Sequence, residues 1–168
     1  MATLVLTVVG DDRAGLVSAL AREVAAHGGN WEQSELAELA GAFAGIVLVS
    51  APDDRVDELT ASVGSLDGLL RVTAHAGSGV HSEPAQTLSF TVIGNDRPGI
   101  VRDVTAAIEA HALSIDSFRS RTLDAPMTGG TLFEATVTVS LPAAADAAAL
   151  TAALEQLAGE IQVDLTVD

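Results

Sequence analysis

The chain has 168 residues and a formal net charge of −15, because 23 Asp and Glu residues face eight Arg and no Lys. This deficit of cations argues against direct binding of nucleic acid, which requires a basic surface to displace counterions from phosphates. No run approaches the roughly 18 apolar residues of a membrane-spanning helix, and without cysteine there is no disulfide and no thiol nucleophile. We expect a cytoplasmic protein without a signal peptide, since the N-terminus lacks a basic segment followed by an apolar one.

A ten-residue motif occurs twice. Val8–Val17 reads VVGDDRAGLV and Val92–Val101, 84 residues later, reads VIGNDRPGIV, with six of the ten positions identical. A near-copy at this spacing indicates two small domains of one fold in tandem. We predict domains at 1–76 and 87–168, joined at 77–86 by a linker whose Gly, Ser and Pro content is typical of flexible segments.

The first domain begins with a strand of period two, in which apolar residues alternate with more polar ones. A helix with apolar residues at helical spacing follows, and the glycine pair after His27 predicts its end. Two further strands begin near Trp31 and Phe43, Pro52 ends the second of them, and a second helix leads to a last strand at Leu69–Ala74. The predicted core positions are Leu4, Leu6 and Val8 on the first strand, Leu16, Val17, Leu20 and Val24 on the first helix, and Val56, Leu59, Val63 and Leu66 on the second helix.

The second domain repeats this order. Its middle hairpin is six residues longer, owing to an insertion at Asp124–Gly130 that we expect to be able to fold over a site. Phe133–Val139 alternates and ends before Pro142, and a last strand is predicted at Ile161–Val167. The predicted core positions are Leu88, Phe90 and Val92, then Ile100, Val101, Val104 and Ile108, then Phe133, Ala135, Val137 and Val139, and finally Leu150, Leu154 and Leu157.

The order βαββαβ, occurring twice, predicts an α+β fold of two tandem ferredoxin-like domains. Each would have an antiparallel four-stranded sheet covered by helices on one face.

The motif Gly-x-Asp-Arg-x-Gly-(Leu/Ile)-Val, placed between a strand and an amphipathic helix in such a unit, resembles that of the ACT domain. ACT domains are small regulatory modules that usually bind amino acids. A pair of them with little else in the chain looks most like the glycine cleavage system transcriptional repressor family. The resemblance implies regulation without catalysis: an amino acid such as glycine would modulate a partner protein, possibly a transcription factor, and the chain would form a homodimer.

The strand-to-helix turn of the motif is the candidate ligand site. Its glycines allow close approach to the backbone, and a helix N-terminus suits a carboxylate. Asp11 and Asn95 are predicted to accept from a ligand ammonium group, Asp12 and Asp96 to cap the helices, and Pro98 to lie in the first helical turn. We expect Asn30 and Ser114, which open the next strands, to lie close to the loops. The full candidate set is Gly10, Asp11, Asp12, Ala14, Gly15, Leu16, Asn30, Gly94, Asn95, Asp96, Pro98, Gly99, Ile100 and Ser114.

Three function classes stay open, and so does one question about the charges on the second strands. Gly and Asp serve tight turns whether or not a ligand binds, so the chain is either an amino-acid sensor or an interaction module without a ligand. The charge reversal between Glu35 and its counterpart Arg119, with Arg121 nearby, either steers pairing or simply solvates a strand face. A small enzyme is the third class, but we find no catalytic constellation, no His spacing typical of a metal site and no cofactor motif.

Overall fold

The structure, a computed structural model, describes residues 1–66, 68–77, 86–125, 129–141, 147–156 and 161–167. The chain divides into two compact units, Met1–His81 and Ser82–Asp168. None of the helices in these ranges is both long enough and apolar enough to cross a membrane.

The first unit has the predicted βαββαβ order, with a short 3₁₀ turn at Asp53–Arg55 before its second helix. Helix α1 ends before His27, and Gly28 has a φ of +73°, a left-handed conformation that suits glycine. The elements are β1 (Ala2–Asp11), α1 (Leu16–Ala26), β2 (Asn30–Leu39), β3 (Ala42–Ala51), α2 (Val56–Gly64) and β4 (Arg71–Ala76).

The second unit repeats the order. Because of the insertion, the strands of its hairpin extend to the pair Asp124 and Thr131, whereas those of the first unit end at Leu39 and Ala42. Residues 126–128 of the insertion, the linker residues 78–85, Pro142 and Leu157 lie outside the described residues. The elements are β5 (Gln86–Asn95), α3 (Ile100–Glu109), β6 (Ser114–Asp124), β7 (Thr131–Leu141), α4 (Ala147–Gln156) and β8 (Ile161–Val167).

Each unit contains one antiparallel sheet of four strands, with the order β2-β3-β1-β4 in the first and β6-β7-β5-β8 in the second. The first strand of each unit therefore lies inside its sheet, paired on both sides. The ferredoxin-like α+β prediction is confirmed.

Alternate side chains of the strands are buried against the helices in each unit, as the period-two patterns predict. Leu6 and Leu20 are almost fully buried in the first unit, and Leu88 and Phe90 in the second. Leu59, Val63, Leu150 and Leu154 complete the cores from the second helices, and Val56 and Leu66 pack against the first core while partly exposed.

Val17 and Val101 are an exception, because both are 42% exposed. The sequence prediction placed them on the core faces of α1 and α3, which was wrong. Each directly follows a buried residue, Leu16 or Ile100, and a step of one residue turns a side chain by about 100° around a helix, away from the core.

The last strand of the first unit begins two residues later than predicted. The N–H groups of Leu69 and Leu70 both donate to the Leu66 carbonyl, at 2.8 and 2.9 Å. These bonds hold the residues after α2 in a turn, so pairing with β1 begins at Arg71, opposite Val9.

Two valines of α3 provide a matched test of this packing. Val104 is fully buried and Val101 is exposed, so we expect Val104→Ala to lower the free energy of unfolding by about 2 kcal/mol and Val101→Ala to change it by less than about 0.5 kcal/mol. Urea denaturation measures both. Equal losses would contradict the orientation of the helix.

Candidate functional site

The loop between β1 and α1 is attached to the β2–β3 hairpin by a backbone hydrogen bond. The Asp12 N–H donates to the Gly41 carbonyl at 2.8 Å, and in the second unit the Asp96 N–H donates to the Thr131 carbonyl at 2.8 Å. The motif therefore forms the same turn in both units, at the same end of each sheet.

The helices begin differently from the prediction. Gly15 and Gly99 are the N-cap residues, and neither helix has a capping side chain. Asp12 and Asp96 are consequently not caps, and Pro98 precedes α3 instead of lying within it. Both glycines are left-handed, with φ of +93° and +86°, a conformation that side chains with a Cβ adopt at an energetic cost.

Gly10 is required by close backbone packing. A Cβ at this position would lie 2.6 Å from the carbonyl oxygen of Leu69 in the α2–β4 turn. The glycines at positions 10, 15 and 99 thus have structural reasons to be glycine whether or not a ligand binds.

Asn30 and Ser114 lie at the opposite end of the sheet from the loop of their own unit, so the expectation that they lie close to it was wrong. Asn30 pairs with Ser50, and Ser50 pairs with Thr3, whereas Asp11 ends β1 eight residues beyond Thr3. At about 3.3 Å per residue the separation is roughly 26 Å. Helix α1 runs back along the sheet, so β2 begins at the end opposite the motif loop.

The remaining candidates divide by exposure. Leu16 and Ile100 are 3% and 4% exposed, and their side chains belong to the cores. Ala14 and Asn95 are exposed in their loops, while Gly94 is buried.

A cleft of about 320 Å³ lies beside the loop in the first unit. One wall is the end of β1 with Arg13 of the following loop, and the other is the turn that leads into β4. Arg13 joins these walls, since its guanidinium donates to the carbonyl oxygen of Gly68, 55 residues away in the sequence. The lining residues are Val9, Gly10, Asp11, Arg13, Ala42, Gly68, Leu69, Leu70 and Arg71.

Of the predicted site residues, Gly10 and Asp11 line this cleft. Sequence reasoning missed Arg13, although it belongs to the repeated motif and has Arg97 as its counterpart. It also missed the Gly68–Arg71 wall, whose one signal in the sequence is a Leu-x-Gly pattern at Leu66 that recurs at Leu157.

The corresponding arginine of the second unit has a different partner. The Arg97 guanidinium donates to the Asp103 carboxylate at 2.7 Å, whereas the first unit has Ala19 at the place of Asp103. Arg102 also donates to Asp103, at 2.8 and 2.9 Å. These hydrogen bonds, first from Arg97 and then from Arg102, hold the pKa of Asp103 below its usual range.

The sheet face away from the helices also differs between the units. Arg119, Arg121 and Glu134 line a cleft of about 170 Å³ there in the second unit, and Arg121 donates to Glu134 at 2.7 Å. The first sheet has Ala37 opposite Ala44 at the place of this pair, and its Glu35, the counterpart of Arg119, lies opposite Ile46, which is 51% exposed. The Arg121–Glu134 pair lies within one sheet, and the two alternatives for Glu35 and Arg119 stay predictions.

Comparison with known proteins is consistent with this geometry. Residues 2–75 match the ACT domain family, and the second unit repeats the same strand order and motif. The chain therefore consists of two similar units, the first of which matches the ACT domain. It is 28% identical over 168 residues to the glycine cleavage system transcriptional repressor of Escherichia coli (strain K12), covering 98% of this chain and 88% of that one.

Two solved structures share the fold of this chain. The crystal structure of an unknown protein from Galdieria sulphuraria has a TM-score of 0.87 and 29% identity, covering 99% of this chain and 98% of that chain. A candidate glycine cleavage system transcriptional repressor has a TM-score of 0.73 and 20% identity, covering 99% and 97%. The second similarity shows the fold alone.

The Asp103 cluster predicts a specific pH dependence. The folded-state pKa of Asp103 is lowered. The contribution of its carboxylate to the free energy of unfolding is therefore present above the unfolded-state pKa, and it is lost as the pH falls through the folded-state pKa. We expect the stability difference between the natural chain and Asp103→Asn to be largest near neutral pH and to shrink in acid.

Chemical denaturation at a series of pH values measures this difference. The same comparison in an Arg97→Gln background is the control, and there the shrinkage should be smaller. A difference that stays constant from neutral to strongly acid pH would contradict the assignment.

Proposed function

We propose that this protein is a non-catalytic regulator that binds an amino acid such as glycine. In this proposal it thereby modulates a partner protein, a transcription factor of amino-acid metabolism. The ACT-domain match and the similarity to a transcriptional repressor support a regulatory, ligand-binding role. The ligand and the partner are the parts that we propose.

The observation that carries the proposal is the cleft beside the motif loop of the first unit. It brings a carboxylate, Asp11, and two guanidinium groups, Arg13 and Arg71, to one concave surface. An amino acid carries a carboxylate and an ammonium group, and this set offers a partner of opposite charge to each of them.

Action through a protein partner accords with the charge. A net charge of −15 repels phosphates, so we propose that contact with DNA belongs to the partner. Exposed apolar residues such as Leu39, at 77%, and Ile46, at 51%, offer contact area for another protein.

The second candidate is an interaction module without a ligand. It is favoured by one observation, namely that Gly10, Gly15 and Gly99 have purely structural reasons to be glycine. Ligand titration separates the two candidates.

A thermal-shift titration against glycine, serine and the other amino acids tests the proposal. A ligand at 100 times its dissociation constant stabilises by about 2.7 kcal/mol, which raises the melting temperature by several degrees in a chain of this size. We expect a selective, saturable shift. Its loss in Asp11→Ala or in Asn95→Ala identifies which of the two loops binds the ligand.

Asp54→Ala is the control for that titration. It removes an exposed carboxylate from the 3₁₀ turn, outside the cleft lining, and it should leave the shift intact. The absence of a shift with every amino acid would contradict ligand binding and favour the interaction module.

We also propose a homodimer formed by side-by-side pairing of sheets. The edge strands are β2 and β4 in one sheet and β6 and β8 in the other, and edges that present unpaired backbone groups are usually covered. Sedimentation velocity at micromolar concentration should give twice the chain mass of 17.0 kDa. A single species at the chain mass would refute pairing.

A further inference from the structure

We propose that the cleft of the first unit binds an α-amino acid with an aliphatic side chain. In this proposal Arg71 recognises its carboxylate and Asp11 its ammonium group, and the second unit has no equivalent site. The inference rests on the proposed function and adds the ligand class, the recognising residues and the number of sites.

The charge distribution supports recognition of a carboxylate. Residues 1–76 contain four arginines against eleven acidic residues, yet two of those arginines, Arg13 and Arg71, and one acid, Asp11, line the cleft. The lining therefore has an excess of positive charge within an acidic unit. Such a reversal attracts an anionic group to this position.

The two arginines have different tasks. Arg13 is engaged by the Gly68 carbonyl and connects the two walls, which makes it a positioning residue. Arg71 is exposed at the start of β4, and among the described residues it has no ion-pair partner. It is therefore the guanidinium available to a ligand, and a guanidinium binds a carboxylate through two parallel hydrogen bonds.

The apolar part of the lining favours an aliphatic ligand over glycine. Val9 and Leu69 line the cleft and are 45% and 41% exposed. Removal of apolar surface from water lowers the free energy of binding. A branched aliphatic side chain covers more of these two residues than the single hydrogen atom of a glycine side chain does.

Among its described residues, the second unit differs from the first at the three matching charged positions. Asn95 replaces Asp11, and Gln162 stands opposite Ile93, at the register position where Arg71 stands opposite Val9. Arg97, the counterpart of Arg13, is bound to Asp103. The duplicated motif therefore retains its turn in both units, while the amino-acid site belongs to the first.

Isothermal titration of the full chain with L-leucine tests the proposal. We expect saturable binding with one site per chain, and weaker binding of glycine by about tenfold or more. Isoamylamine lacks the carboxylate and 4-methylpentanoate lacks the ammonium group. Loss of either charge should weaken binding by about tenfold or more, as expected for a charge-assisted hydrogen bond.

Arg71→Gln introduces the residue of the second unit and should weaken leucine binding by about tenfold or more. Arg22→Gln makes the same charge change on the exposed face of α1 and should leave binding unchanged. Were Arg71→Gln to fold poorly, the analogue series on the natural chain would still test carboxylate recognition.

The outcomes separate this inference from the proposed function. Binding of an amino acid that survives Arg71→Gln, that occurs at two sites, or that prefers glycine overturns the inference and leaves the sensor proposal in place. Failure of every amino acid to bind overturns both.

Discussion

The pairing of β1 with a strand on each side is the constraint on which the fold and the cleft of the first unit depend. Its alternate side chains fill the core, and this alternation sets the register against β3 and β4. As a result the last residues of β1 lie between Ala42 on one side and Arg71 on the other. The motif loop, the hairpin and the α2–β4 turn meet there because the sheet brings them to one end.

Much of the fold could be predicted from the sequence because its signals are local. Alternation in β1 and in β7, helical spacing in α3, and a motif repeated after 84 residues each require only a short window. The errors occurred where a neighbouring element decides the outcome. Val101 is apolar like a core residue, but its position around the helix turns its side chain away from the core. Strand β4 begins two residues later than predicted because the N–H groups of Leu69 and Leu70 both donate to the Leu66 carbonyl.

The candidate site was predictable only in part for the same reason. Asp11 was found because the motif contains it, but its opposite wall comes from residues more than 50 positions later, brought close by antiparallel pairing. Asn30 was misplaced because closeness in the sequence was taken for closeness at one end of the sheet. An Asp close to a helix start suggested a cap, whereas a left-handed glycine occupies the N-cap position and no side chain caps the helix.

The two units share the backbone turn of the duplicated motif but differ in the charged groups around it. The backbone turn is common to both, whereas the charged partners differ: Arg13 spans the walls of a cleft, and Arg97 is neutralised by Asp103. An NMR titration of the ¹⁵N-labelled full chain with L-leucine tests the proposed asymmetry most directly. The account predicts that amide shifts concentrate at Val9–Arg13 and at residues 68–71. Shifts centred on Asn95–Gly99, or equal shifts in both loops, would contradict it.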